Sequence, residues 1–418
     1  MHLHPVLAAL RKHKAGAFLI GLQIALTLAI VCNILFIVGL RVQRIARPTG
    51  LAENDLFLIV QSYVDAPTGV DAQARLDALQ ATDLATLRGL TEVQAAAPVS
   101  SLPLLRRSSI QDIALTPGQR NGLTKASFFF GDEHLLPTLG LRLVAGRDFT
   151  GADVERRVPA SPIAPPQVIV TQALAERLFP GRSPIGQPIY VNGSTTPSVI
   201  VGEVARMLTS DADGVDAYAW NSVLVPARID AAATMYAVRA RPGRAQAAME
   251  QARQALFKAN PLRILEEQGR YSPSGIHDFA QIRAMGYALD LFVVQVLTAI
   301  CAILLAVTGV GMTGLTSFWV GRRYKQIGIR RALGARKRDI LGYFQLENLC
   351  IAGAGCVAGA VLAIVINQLL LRLFALDRMP AGYVLAGVAA ILVLGQFAVL
   401  APAWRAAKVP PAVATRSL

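Results

Sequence analysis

Few side chains in the 418 residues could make or break bonds. Of the five histidines, His2, His4 and His13 lie in the N-terminal segment, and His134 and His277 stand far apart with no ligand pair beside them. Zinc-type spacing is therefore absent. No G-x-S-x-G elbow occurs, and Gly181-Arg182-Ser183-Pro184-Ile185-Gly186 has the wrong spacing and reads as a turn. The phosphate loop G-x-x-x-x-G-K-[ST] is missing too. Without its amides, lysine and hydroxyl around phosphate and magnesium, the chain is expected not to hydrolyse ATP. No catalytic, cofactor-binding or metal-binding residue is assigned. Cys32, Cys301, Cys350 and Cys356 lie in or beside apolar runs, where a thiol behaves as a small hydrophobe.

The segment with the most chemical character is basic. It runs from Gly321-Arg322-Arg323-Tyr324-Lys325 through Gln326-Ile327-Gly328-Ile329-Arg330-Arg331-Ala332-Leu333-Gly334-Ala335 to Arg336-Lys337-Arg338-Asp339-Ile340. Ile329, Leu333, Ile340 and Phe344 fall near one helical face, with Arg and Lys on the rest. Gly334 suits a helix C-terminus. The pattern predicts a short helix, a turn, and a second helix leading into an apolar run. Such a helix could lie on anionic lipid or form a docking surface for a cytoplasmic partner, and the residues alone leave both open.

The elements around this segment are set by composition. The chain is 53% hydrophobic and 16% charged, against about 25% charged in soluble domains. The apolar excess sits in four runs. The first, Ala15 to Leu40, would reach roughly 39 Å as a helix, more than the ~30 Å hydrocarbon core. It is too long for a cleaved signal peptide and ends in Leu40-Arg41-Val42-Gln43-Arg44, so it reads as an anchor. The second covers Leu291 to Val320 and is expected to begin earlier, as one long stalk helix through Phe279, Ile282, Met285 and Leu289. The third covers Leu349 to Leu371 and the fourth Ala381 to Pro402, forming a tight hairpin.

The net charge of +14 is local to these runs. The stretch Arg41–Met285 holds 25 Lys/Arg and 23 Asp/Glu, so a nucleic-acid partner is not expected. With the N-terminus inside, the inner segments carry 14 Lys/Arg, while the short outer loop has only Arg372 and Arg378. That bias places both termini in the cytoplasm. Within the spans, Gly355 and Gly359 in the third, and Gly309, Gly311 and Gly314 in the second, suit close helix packing. Ala352, Cys356 and Ala360 form a neighbouring line. The polar residues Gln23, Thr27, Asn33, Gln295, Asn367 and Gln396 read as interhelical glue. No acid or base lies mid-span, and Asp290 sits at an edge, which argues against an ion-driven transporter.

The long stretch begins with a strand Leu56–Tyr63, a helix Asp71–Gly89 and a strand Val93–Leu102. It ends with a strand Met235–Arg241, a helix Arg244–Ala259 and a strand Leu262–Glu266. Two such βαβ units can pair into one split ferredoxin-like layer. Between them, mixed α/β structure is expected. It comprises a strand at Ser127–Gly131, a short helical turn, a turn at Ala145–Asp148, a strand Gln167–Thr171 and a helix Gln172–Leu178. A hairpin Pro188–Val191 to Pro197–Val204 turns at Asn192-Gly193, and Val154–Pro166 reads as a surface loop.

The stretch Gln326–Ala335 resembles the E-I-G-I-R-R-A-[LI]-G-A signature of MacB/FtsX-like (type VII) ABC transporter permeases, with Gln326 where the family usually has Glu. The ending Pro402-Ala403-Trp404-Arg405-Ala406-Ala407-Lys408-Val409-Pro410-Pro411-Ala412 is similar to the family's P-A-x-R-A-A-x-x-x-P-A. Gly140–Phe149, as Gly-Leu-Arg-Leu-Val-Ala-Gly-Arg-Asp-Phe, resembles G-x-x-L-x-x-G-R-x-F. Ala175, Leu178, Phe179, Pro184, Ile185 and Gly186 resemble A-x-x-L-F-x-x-x-x-P-I-G.

The resemblance implies four transmembrane helices plus a large α/β extracytoplasmic domain of two subdomains, in the bacterial inner membrane. The expected order is cytoplasmic N-terminus 1–14, helix 15–40, and periplasmic core 41–285 with an inserted subdomain at about 124–215. Stalk and second helix 286–320, cytoplasmic coupling loop 321–348, third helix 349–371, periplasmic loop 372–380, fourth helix 381–402 and cytoplasmic tail 403–418 follow. The form resembled lacks a fused ATPase, so MgATP would be bound by a separate cytoplasmic ABC ATPase dimer. Coupling to it would fall to Gln326, Ile327, Gly328, Ile329, Arg330, Arg331, Ala332, Leu333 and Gly334. The glutamine at 326 would forgo any salt bridge that a Glu makes there. Other implied partners are membrane lipid, a second permease copy or homologous permease, and, for efflux, a periplasmic adaptor and outer-membrane channel. The implied mechanism is mechanotransmission serving export of a small molecule, peptide or lipid-like substrate. Signalling to a periplasmic partner and lipoprotein release are the alternatives.

Overall fold

A computed structural model of the protein describes residues 14–69, 71–158, 163–210, 218–265, 275–374 and 378–408. In chain order it starts with α1 (Lys14–Ile45), β1 (Leu56–Tyr63), α2 (Ala72–Arg88), β2 (Val93–Pro98), β3 (Ser109–Ala114), β4 (Thr124–Gly131), α3 (Leu135–Leu139) and β5 (Leu143–Gly146). Next come β6 (Glu155–Arg157), β7 (Gln167–Thr171), α4 (Gln172–Leu178), β8 (Pro188–Val191), β9 (Ser198–Val204), β10 (Ser222–Ile229) and β11 (Ala233–Ala240). The remaining elements are α5 (Ala245–Ala259), β12 (Arg263–Ile264), β13 (Gly275–Asp278), α6 (Phe279–Gly286), α7 (Ala288–Arg322), α8 (Tyr324–Ala332), α9 (Lys337–Phe374) and α10 (Ala381–Ala407). Two compact units result: Ala46–Leu289, and Met1–Ile45 with Asp290–Leu418.

In the first unit, one sheet has the order β12-β1-β11-β2. β11 runs antiparallel to both β1 and β2. That is the split βαβ layer expected from the two sequence units, with β13 added beside β12 on the outer edge of β1. Alternate residues Phe57 and Ile59 of β1 pack with Tyr236 and Val238 against Leu84 and Leu87 of α2 and Ala248, Ala252 and Leu256 of α5. Leu56 and Leu58 are buried as well, so β1 is covered on both faces, which explains its unbroken apolar run.

The inserted part is larger than expected. Its strands run from β3 at Ser109 to β10 at Ile229, beyond the predicted 124–215. β4, β3, β8, β9, β7 and β10 pair in that order, and β10 pairs again with β4. The ladder therefore closes into a six-stranded ring. Its interior holds Phe128, Phe130, Val168, Val170, Ile189, Val191, Ile200, Val223 and Val225, together with Leu174 and Leu178 of α4. β5 pairs with β9 where a turn was expected, and β6 pairs with β10 inside the stretch read as a loop. The β8–β9 hairpin turns at Asn192, whose φ of 53° is left-handed, and Gly193. Glu266, the last residue of the expected strand 262–266, lies outside the described residues.

The expected stalk is two helices. Asp278 caps α6, its carboxylate accepting the Gln281 N–H at 2.7 Å. Tyr287 then leaves helical geometry at φ −103°, ψ 9°. The break falls where α6 presses on the chain: a Cβ at Gly286 would lie 2.7 Å from Leu104 Cβ. Beside it, Arg283 bonds Glu53 at 2.9 Å and the Arg47 carbonyl at 2.6 Å.

In the second unit, Gly16–Ile45, Ala288–Arg322, Lys337–Leu373 and Ala381–Ala407 are long and apolar enough to cross a membrane. The third and fourth helices exceed their predicted bounds of 349–371 and 381–402, because helix continues through the basic approach at Lys337 and past Pro402 to Ala407. Pro402 has no N–H for the Ala398 carbonyl. The Thr313 hydroxyl of α7 donates to that carbonyl at 3.0 Å, sharing itself with Gly309 O at 2.8 Å.

A charge closes the edge of the split layer. Arg263 on β12 and Asp83 on α2 are both fully buried and bond at 2.9 and 3.1 Å. Gln61 donates to Asp83 at 2.6 Å and Tyr63 at 2.8 Å. Burial, reinforced by the Asp83 carboxylate, raises the Tyr63 hydroxyl above the ordinary tyrosine range, so it stays a donor. Removing one member of such a pair leaves an uncompensated buried charge. Asp83→Asn should lower unfolding stability of the full chain in detergent by about 3–5 kcal/mol. Replacing both partners, as Asp83→Leu with Arg263→Met, should recover most of that loss in the same denaturation measurement.

Candidate functional site

The basic segment folds into a helix held on one side and open on the other. α8 stops in a glycine-terminated motif: the Ala335 N–H bonds Arg330 O at 3.1 Å, the Gly334 N–H bonds Arg331 O at 3.1 Å, and Gly334 takes φ +96°. α9 begins two residues later, with the Asp339 carboxylate accepting the Arg336 N–H at 2.9 Å. Ile327 and Gly328 face inward. Ile327 packs with Val320, Ile340, Phe344, Val399, Ala403, Ala406 and Ala407.

Three arginines fix this helix. Arg323 pairs with Glu347 of α9 at 2.9 Å, both side chains buried or nearly so. Arg331 donates to the Ala407 carbonyl at 3.0 Å, neutralising the end of α10. The Arg330 guanidinium sits 5.3 Å from the Tyr343 ring centroid.

Gln326, Ile329, Arg330, Ala332, Leu333 and Gly334 point outward. Leu333 is 83% exposed and Ile329 48%. Here the structure corrects the single apolar face read from the sequence. Ile340 and Phe344 are buried while Ile329 and Leu333 are not, because the left-handed turn at Gly334 ends one helix axis and starts another. The outer surface is an i, i+4 apolar pair bordered by guanidinium and ammonium groups. It carries no nucleophile or acid–base pair and suits contact with another macromolecule.

The packing glycines divide. A Cβ at Gly355 would lie 2.9 Å from Gly21 O, and one at Gly359 2.8 Å from Ala25 O, so α9 meets α1 backbone to backbone. Gly309 has only ordinary contact with Leu394, and Gly314 has nothing within 4 Å, so the chain itself gives Gly314 no packing role. Gly311 instead faces Gln23, 2.8 Å from a built Cβ. Thr27 bonds Thr308 at 2.8 Å, Gln23 donates to Val307 O at 3.3 Å, and Asn33 donates to Ala363 O at 3.1 Å. Asn367 accepts the Met379 N–H at 3.1 Å, while Gln295 is exposed. Sequence reading missed the ion pairs Arg41–Asp290 and Arg323–Glu347, since each partner lies far along the chain from the other.

The two domain motifs hold backbone. Gly140 and Gly146 both have positive φ, and a Cβ at Gly146 would meet Val201 O at 2.3 Å. Arg147 forks onto Asp153 at 2.7 and 3.1 Å, which holds that carboxyl well below its usual range. His2, His4 and His13 lie outside the described residues. His134 gathers with Asp132 and Glu133, but Asp132 is engaged by Arg88 and accepts the His134 N–H at 3.0 Å at the start of α3, a structural use of the group.

Four membrane-length helices and a large two-part α/β domain between the first and second define a multi-span membrane protein with a large extracellular domain. Residues 20–256 match the family model of the MacB-like periplasmic core domain, and residues 298–411 that of the FtsX-like permease C-terminal. The chain belongs to the MacB/FtsX-like ABC transporter permease family. It is 26% identical over 341 residues to the macrolide export ATP-binding/permease protein MacB of Nitrosomonas europaea, covering 80% of this chain and 48% of that one. To the probable syringafactin export ATP-binding/permease protein SyfD of Pseudomonas syringae it is 26% identical, covering 74% and 43%. The chain thus spans about half the length of these curated relatives. The periplasmic region of MacB from Actinobacillus actinomycetemcomitans overlaps it with a TM-score of 0.33 at 14% identity, over 58% of this chain and 96% of that one.

The glycine contacts have a direct consequence. Gly359→Ala places a Cβ against a backbone oxygen and should destabilise the bundle by about 1–3 kcal/mol. Gly314→Ala meets open space and should be neutral or favourable by up to ~1 kcal/mol. Thermal unfolding of the full chain in detergent distinguishes the two.

Proposed function

We propose that this chain is the permease of an ABC exporter, driven by MgATP hydrolysis in a nucleotide-binding dimer that docks on α8. The observation carrying this reading is the exposed Ile329–Leu333 pair on a helix anchored by Arg323, Arg330 and Arg331. A surface that transmits force must be both accessible and rigidly joined to the spans, and α8 is joined to α9 and α10 through buried contacts. In this reading the nucleotide-binding subunits lie in the cytoplasm of a bacterium and the large domain in the periplasm, in line with the basic bias of the short segments. Closure of the dimer displaces α8, the spans carry the displacement, and the domain changes posture around a substrate already outside. A second permease copy, a periplasmic adaptor and an outer-membrane channel complete the proposed assembly. The relatives named as macrolide and syringafactin exporters support export of a small molecule, peptide or lipid-like substrate over signalling.

The test is purification of the full chain from its native membrane, with ATP turnover of the nucleotide-binding subunit recovered with it. Ile329→Asp with Leu333→Asp should abolish recovery of that subunit, or cut its permease-stimulated turnover by at least about tenfold. The inserted, folded bundle should be unaffected. Arg331→Glu is a poorer probe, because Arg331 also secures α10. Unchanged coupling in the double aspartate variant would sink the proposal and return α8 to the lipid surface.

A further inference from the structure

The connection between the third and fourth spans carries two basic residues, Arg372 and Arg378. Two crossings, α7 and α9, separate it from the large domain, so it lies on the domain's side of the membrane. Short segments on that side normally avoid cations. The one acid in the connection, Asp377, lies outside the described residues and leaves the connection with a net charge of +1.

Both arginines line a single cavity of about 730 Å³ between the end of α9 and the start of α10. That volume is in the roughly 300–1,000 Å³ range of small-molecule sites. The walls are apolar, from Ile364, Leu371, Val384 and Leu385. Leu385 is 69% exposed and Ile364 49%, so the walls run out onto the face that meets lipid. Asn367 also lines the cavity, its side-chain oxygen committed to the Met379 N–H. Among the described residues no carboxylate lines the cavity and none pairs with either arginine.

An apolar trough that opens to hydrocarbon and carries two guanidinium groups matches one ligand shape. Acyl chain would lie on the wall, and phosphate would meet the arginines, which favour bidentate contact with phosphate oxygens. We propose that this cavity binds one anionic phospholipid from the leaflet facing the large domain. A zwitterionic lipid brings an ammonium that competes for the same space, and a free anion leaves the trough unfilled.

The test is native mass spectrometry of the full chain in detergent, titrated separately with phosphatidylglycerol, phosphatidylcholine and inorganic phosphate. Phosphatidylglycerol should bind at least about tenfold tighter than phosphatidylcholine, and inorganic phosphate should not displace it at equal concentration. Arg372→Gln with Arg378→Gln should weaken phosphatidylglycerol binding roughly 10- to 100-fold. The double lysine variant, which keeps both charges but not the bidentate contact, should bind with an affinity between wild type and the double glutamine variant, with unfolding temperature in lipid-free detergent unchanged in both. Leu385→Asp, on the exposed wall, should weaken lipid binding independently. Equal affinity for the two lipids, wild-type binding by the double glutamine variant, unchanged binding by Leu385→Asp, or displacement by inorganic phosphate would each overturn the proposal.

Discussion

At Gly355 and Gly359 the backbone of α9 lies against the carbonyl oxygens of Gly21 and Ala25, with no side chain between. Lipid tails give helices no hydrophobic reason to associate, so close van der Waals contact and hydrogen bonds must do it. On the other two spans glycines also approach α1 closely, there against side chains. Gly387 of α10 faces Cys32 and Leu28, and Gly311 of α7 faces Gln23. All five of these contact residues are on α1, whose Ile24, Leu28 and Cys32 are fully buried. The first helix is therefore the axis of the bundle, and the other three are set around it at distances that glycine permits.

α7 is tied differently. Arg41 of α1 pairs with Asp290 near one end, and Arg323, just past the other end, pairs with Glu347 of α9. Between these points Thr308 and Thr313 reach α1 and α10, while Ile303, Val307 and Val310 remain exposed. A helix fixed at its ends and lightly held along its length can shift without dismantling the bundle. Asp290 and Glu347, both buried, each have a cation, so the arrangement avoids the desolvation cost that an unpaired charge would carry.

Much of the fold was legible in the chain. β1, β7 and α4 have the predicted limits, because the two strands are short apolar runs and α4 is closed by Pro180-Gly181. What escaped was structure specified from elsewhere. β3 contains Gln111 and Asp112, and β10 contains Pro226, so neither shows strand character by itself. Both become strands by completing the ring. The helix break before Ala288 lies beside the contact of Gly286 with Leu104, which is remote in sequence and so hidden from it. The motif of α8 marked a segment that folds as a helix, but its outward face could not be read until the turn at Gly334 fixed two separate axes.

The closed ring in the inserted subdomain has a consequence for recognition. An open sheet offers an unpaired row of amides and carbonyls, and many proteins are captured there by strand addition. Among the described residues, six strands that return to their start leave only short unpaired stretches, besides the flanking β5 and β6. Any partner of this subdomain must read side chains and loop shapes instead. Selectivity in that region can then diverge rapidly between relatives, since loops change without disturbing a ladder that has no loose end.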